Sequence, residues 1–296
     1  MKQLNELDID NIKLYEDIVD NKKYKNEHCD FCDTKIDCNL CEFGGRGLMN
    51  MAKNQIFDRY KIYYDNKKTL NKIERVSLLN KDQIIAIKSS YKNSVIFKDA
   101  KKRILDNIPN NAKGICPFCM ISEPNTFDHY FPESIYPEYI LFTHNLVPCC
   151  SYCNTLKGDL LFDEFKKERK FIHFYFDDLP QTDYLKAKFW IEENIPRIEF
   201  YFDNIEDDEI FNIIVNHFES LKLFERYYER INEILSTVCK TIELSLDNGI
   251  PLDVCADLLK CKAKSFENNF GKNYWKTCVY NAMAQNKQEL FKLLKK

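Results

Sequence analysis

The sequence predicts an α+β fold, mostly helical, built around a small metal-bearing core near its middle. Three observations carry this. Charged residues make up 30% of the 296 residues while glycine occurs only 7 times, a balance that suits helices. Apolar residues recur at three-and-four spacing before about 107 and again after 207. Between about 170 and 203 the chain turns aromatic and β-branched, as expected of a small β-rich segment.

The elements follow in order. Residues 1–48 form a first region, with a partly helical start (Leu7, Ile9, Ile12, Leu14 and Ile18 among polar residues) and then a cysteine module, Cys29-x2-Cys32-x5-Cys38-x2-Cys41. This module reads as a second metal site, for zinc or for an iron–sulfur cluster, with His28 as a substitute ligand. Gly44, Gly45 and Gly47 around Arg46 mark a turn or hinge. Residues 49–112 form a basic helical region in which Ile73, Val76, Leu79 and Ile84 keep helical spacing. Fourteen Lys and Arg against five Asp and Glu lie between Lys53 and Arg103. Such a segment gives a chain of net charge −3 a local surface for nucleic acid, or else a solvated helical face.

Residues 113–165 are the core, and 166–296 carry a hairpin and then helices. The hairpin is expected from Ala187–Glu193 and Arg197–Phe202 around Asn194–Pro196, with Phe171–Phe176 as a further β-rich stretch. Phe211, Ile214, Phe218, Leu221, Phe224, Tyr227, Ile231 and Leu235 form an apolar helical stripe that ends at Gly249 and Pro251. Cys239, Cys255, Cys261 and Cys278 are expected as core thiols, and His144, His173 and His217 as packed side chains.

Thirteen cysteines in repeated Cys-x2-Cys pairs, with no apolar leader in Met1-Lys-Gln-Leu-Asn-Glu, favour metal ligation over disulfides. No stretch approaches the ~20 apolar residues of a membrane span, so a cytoplasmic protein without membrane contact is expected.

In the core, Cys116-x2-Cys119 and Cys150-x2-Cys153 are two knuckles able to present four thiolates to one structural zinc. Cys149 is an alternative to Cys150, but only Cys150 keeps the pair spacing with Cys153. Between the knuckles, Asp128 and His129 end a strand, Asn125 to Phe131. Asp128 offers a hard oxygen of the kind that binds Mg²⁺, and a neutral His129 can take a proton from water. Neighbours in a strand point to opposite faces, so a shared site asks for a local bend. Asn145 suits pinning a proline-rich loop. A helix expected after Cys153 sets Asn154 and Lys157 on one face, the first as a metal ligand and the second as a phosphate contact.

Cys-x2-Cys…Asp-His-x2-Pro…Asn-Leu-Val…Cys-x2-Cys-Asn-x2-Lys-Gly, over residues 113–160, closely resembles the zinc-stapled HNH nucleases of the ββα-metal (His-Me finger) superfamily. The resemblance implies His129 as general base, Asp128 and Asn154 as ligands of one catalytic Mg²⁺ (or Mn²⁺), and Asn145 as the residue that orders the loop beneath the base. Where many members carry a second helix His, this chain has Asn154. The implied activity is hydrolysis of DNA phosphodiesters, with RNA as an alternative substrate. The setting it implies is restriction, phage defence or a mobile element, acting with a partner protein or as a homodimer. The alternative from another class is a zinc-organised module that binds nucleic acid or protein without catalysis.

Overall fold

The computed structural model describes residues 3–22, 44–163, 168–193, 195–203 and 208–289. The module Cys29, Cys32, Cys38 and Cys41 lies outside these described residues. The chain forms two compact units, each discontinuous in sequence.

The unit that bears Asp128, His129, Asn145, Asn154 and Lys157 comprises Leu4–Pro109 and Asn125–Asp177. Its first helix, α1 (Asn11–Asp20), starts where the Asp10 carboxylate accepts the amides of Ile12 and Lys13, both at 3.0 Å. Leu14, Tyr15, Ile18 and Val19 form its buried face. The long α2 (Gly45–Asp65) buries Met49, Ala52, Ile56, Tyr60 and Tyr63 along one stripe.

A short 3₁₀ turn (Leu70–Lys72) and an irregular stretch separate α2 from α3 (Lys81–Asn93). Ile73, Val76 and Leu79 therefore stand outside any helix, contrary to their spacing. Local chemistry accounts for the difference. Asn80 and Gln83 form a reciprocal capping box that fixes the start of α3 at Lys81. Ahead of it, the Glu74 carbonyl accepts from Arg59 (2.8 Å) in place of a helical amide. Ser94 then both ends α3 and caps α4 (Val95–Asp106).

Strand β1 (Thr126–His129) pairs antiparallel with β2 (Leu146–Cys149), setting Asp128 opposite Val147 and His129 opposite Leu146. Helix α5 (Ser151–Lys157) follows directly, so it begins before Cys153 and not after it. The stretch Phe171–Phe176 is turn and coil, not strand. Its residues are buried, and His173 and Phe176 stack at 4.5 Å. Aromatic packing holds this stretch in place of a sheet ladder.

The second unit comprises Met1–Gln3, Asn110–Pro124 and Asp178–Lys296. Strands β3 (Leu185–Glu192) and β4 (Ile195–Phe202) form the expected antiparallel hairpin. The expected helical stripe is broken in two. Lys222, at φ 50°, separates α6 (Glu209–Ser220) from α7 (Leu223–Asp247). Gly249, at φ 78°, and Pro251 end α7 and open α8 (Leu252–Phe270), and α9 (Trp275–Gln285) follows. Cys255 and Cys278 are buried core thiols and Cys239 is half-buried. Cys261 is exposed on α8, because its position lies off the buried face of Cys255, Leu259 and Ala263. Among the described residues no helix is long and apolar enough to cross a membrane.

Candidate active site

The first knuckle is a tight turn. Met120 N–H donates to the Cys116 carbonyl (2.8 Å), and Met120 itself, at φ 55°, turns the chain out of the knuckle. In the second, Cys150 precedes the first residue of α5 and its carbonyl accepts from Asn154 N–H (3.0 Å), so Cys153 falls in the first turn. Cys116, Cys119, Cys150 and Cys153 are all buried, and their sulfurs lie within 4.8 Å of one another. Four thiols gathered this closely fit the tetrahedral sulfur set of a structural zinc and could hold one. Cys149 is buried separately, and burial pushes its thiol pKa up.

Alternation along β1 sends neighbouring residues to different surroundings. Thr126 and Asp128 meet α5. Asn154 directs its amide nitrogen to Thr126 Oγ1 and to the Phe127 carbonyl, both at 3.4 Å. One turn on, the Lys157 ammonium lies 3.0 Å from Asp128 Oδ2 and donates to the His129 carbonyl at 2.9 Å. Both partners are enclosed, Lys157 completely. Burial raises the Asp128 pKa and Lys157 opposes the rise. Oδ2 thus has the Lys157 ammonium as its charged partner. The Asn154 and Lys157 pair thus shares a helix face, as spacing implied, and that face lies against the strand.

His129 looks the other way. Its ring packs against Tyr91 of α3, with centroids 4.9 Å apart, and Nε2 lies 3.1 Å from the Ile140 carbonyl oxygen. A carbonyl can only accept, so Nε2 carries the proton and Nδ1 keeps the lone pair of the neutral ring. Burial pushes the His129 pKa down to about 4, against smaller upward pulls from Ile140 and Glu133. At neutral pH the imidazole is therefore free to accept a proton. Glu133 faces it, with Oε2 4.0 Å from Nδ1, and its other oxygen meets Lys88 at 3.1 Å. Lys101 of α4 lies 3.3 Å over the Tyr91 ring and donates to the Tyr91 carbonyl (3.2 Å). The basic helices thus bring lysines to the rim around His129.

Ile140 belongs to a loop, residues 130–145, that Asn145 closes. The Asn145 side-chain Oδ1 accepts from Phe131 N–H (2.7 Å), and Nδ2 donates to the carbonyls of Phe131 (3.1 Å) and Tyr139 (3.3 Å). Tyr63 of α2 donates to the same Asn145 oxygen (3.3 Å) and lies 2.9 Å from His173 Nε2. Two buried ion pairs brace the surroundings. Arg59 meets Glu138 at 2.9 Å, and Arg169 grips Asp177 through two bonds of 2.8 and 3.1 Å. Arg59, counted in the sequence among residues for a basic surface, is thus internal. His144 takes hydrogen bonds among Asn11, Tyr64 and the Leu7 carbonyl. His217, in the other unit, bonds the Phe118 carbonyl. These histidines are packed, as expected.

Sequence reasoning missed Glu133, Tyr91, Glu138 and the Arg169–Asp177 pair. The only available signal was for Glu133, a carboxylate one turn after His129 and directly after Pro132.

No protein-family model matches the chain. Protein ea31 of Escherichia phage lambda is 25% identical over 228 residues, covering 70% of this chain and 74% of that protein. No solved structure matches.

Proposed function

We propose that the protein is a metal-dependent HNH endonuclease that hydrolyses phosphodiesters in DNA. One observation carries this reading. His129 ends a strand with Nε2 tied to the Ile140 carbonyl, which leaves a neutral Nδ1 as a proton acceptor beside a second protonatable group. The geometry suits a general base, and the four-cysteine group and the Asn145 clasp supply the rigidity such a base needs. His129 takes a proton from the attacking water. Lysines such as Lys88 and Lys101 offer charge to the nucleic-acid backbone.

Asp128 fits a hard cation in the chemistry of its carboxylate oxygens, with Lys157 3.0 Å from Oδ2 as the cation now beside it. Asn154 would be the companion ligand. A Mg²⁺ (or Mn²⁺) ion held by Asp128 and Asn154 would neutralise charge on the phosphate and on the leaving 3′ oxygen. Lys157 then acts as the counter-cation that keeps Asp128 ionised, in place of a direct phosphate contact. Similarity to a phage protein suits a role in phage–host conflict, such as restriction or antiviral defence, in the cytoplasm.

Plasmid incubated with the protein and Mg²⁺ is expected to be cut, and His129→Ala is expected to lose ~10²–10⁴-fold in rate. Equal cutting by both proteins would remove the catalytic assignment. A second reading, a zinc-organised binding module without catalysis, is favoured by the Lys157–Asp128 contact, which already satisfies the charge a metal would meet. Tight DNA binding without cleavage under Mg²⁺ or Mn²⁺ would select it, and cleavage of a structured RNA alone would redirect the substrate.

A further inference from the structure

His129 Nδ1 and Glu133 Oε2 face one another across 4.0 Å, and neither can donate to the other. Nδ1 bears a lone pair because Nε2 donates to the Ile140 carbonyl, and an ionised carboxylate only accepts. Two acceptors at this separation are complementary to one small molecule with two donors. A water has two O–H groups, and two bonds of ordinary length, ~2.8 Å each, close such a gap. The water would keep its lone pairs on the side away from both acceptors, the orientation a nucleophile requires. The other Glu133 oxygen is held by Lys88 at 3.1 Å, which fixes the carboxylate and offsets its repulsion of a phosphodiester. The Glu133 side chain is 42% exposed against 10% for His129, so the gap meets solvent on its carboxylate side.

We infer that Glu133 is a positioning residue that orients the attacking water against His129. This role rests on the nuclease reading above. In the step, one water proton passes to His129 Nδ1 while the second remains hydrogen-bonded to Glu133. The water oxygen forms a bond to phosphorus as the bond from phosphorus to the 3′ oxygen breaks, and the released 3′ oxygen takes a proton from solvent. Glu133 itself gains no proton. A simple exposed Glu133–Lys88 pair, worth little to stability or rate, is the competing account.

Steady-state cleavage of a defined duplex with Mg²⁺ separates the two. Glu133→Ala is expected to lose about 10–100-fold in kcat, the scale of a misplaced reactant, with KM and DNA binding unchanged. Glu133→Gln retains an acceptor oxygen and is expected to recover most of the rate. In the His129→Ala background, Glu133→Ala is expected to add no further loss. Wild-type kcat in Glu133→Ala, equal losses in the Ala and Gln variants, or an undiminished loss on top of His129→Ala would each overturn the role. Nitrogen-15 NMR of the His129 ring gives a readout without turnover. The Nε2–H tautomer supports the assignment, and an Nδ1–H tautomer overturns it. A wild-type chain that cleaves neither DNA nor RNA with Mg²⁺ or Mn²⁺ removes the nuclease reading and this role with it, whereas active wild type with an indifferent Glu133 removes the role alone.

Discussion

Asp128 meets a buried ammonium beneath α5, whereas His129, the next residue along β1, faces a half-exposed carboxylate across an open gap. The first residue is enclosed and charge-compensated, while the second is largely buried, oriented on one nitrogen and turned by the other toward a carboxylate that meets solvent. A two-residue repeat in backbone geometry thus separates a charge-holding job from a proton-handling one without lengthening the strand. The lesson is that adjacency in sequence does not imply a shared environment, although Lys157 touches both halves, at the Asp128 carboxylate and at the His129 carbonyl.

The largest effect is expected on the enclosed half. Lys157→Met leaves the Asp128 carboxylate buried without a counter-charge, and breaking a buried pair in this way costs ~3–5 kcal/mol. Urea denaturation should report that loss, and the double variant Asp128→Asn, Lys157→Met should recover most of it. If Mg²⁺ binds Asp128, it should stabilise Lys157→Met more than the wild type. An equal shift in the two proteins argues against that ligand.

The clasp behind His129 comes next. Asn145→Ala strips their partner from the Phe131 amide and the Phe131 carbonyl, at about 1–3 kcal/mol for each buried group left unsatisfied, while the Tyr139 carbonyl keeps the Phe142 amide. Because the loop also carries the Ile140 carbonyl, the variant should lose cleavage rate beyond its loss of stability. A folded Asn145→Ala protein with normal rate would show that the carbonyl is positioned by other means.

A pH-dependent effect concerns His144 and His217, which are more enclosed than His129. Burial pushes His144 and His217 down to about 4, while an unfolded histidine titrates near ~6.5. Between those values the unfolded chain binds more protons, so their contribution is intact above about pH 6.5 and declines as pH falls toward 4. Each histidine adds a slope of at most ~1.4 kcal/mol per pH unit. Urea midpoints between pH 7.5 and 4.5 should follow this decline. His217→Gln, whose amide can still donate to the Phe118 carbonyl, should flatten it, and an unchanged slope would locate the acid sensitivity elsewhere.

Much of the site was legible because its logic is local. Cysteine spacing foretold the four-thiol group, and the run from Asn125 to Phe131 foretold β1. The amide of Asn145 suggested a loop clasp before any contact was visible. What escaped depends on distant partners. Spacing put Lys157 on a face with Asn154 but could not tell that β1 covers that face. Arg59 looked like one more surface cation because its partner, Glu138, is 79 residues away. Ile73, Val76 and Leu79 kept a helical period, yet the Asn80–Gln83 capping box set the boundary after them. In the second unit, the stripe through Phe218 and Tyr227 was correctly apolar, but only the left-handed Lys222 reveals where one helix becomes two.

The Arg59–Glu138 pair also bears on how the chain is made. Synthesis at ~5–20 residues per second separates the appearance of the two side chains by about 4–16 s. Throughout that interval α2 carries a guanidinium that has no carboxylate to follow it into the interior, and an unpaired charge resists burial. Closure of the early helices around Arg59 therefore waits on the middle of the loop, where the turn Pro137–Tyr139 delivers Glu138.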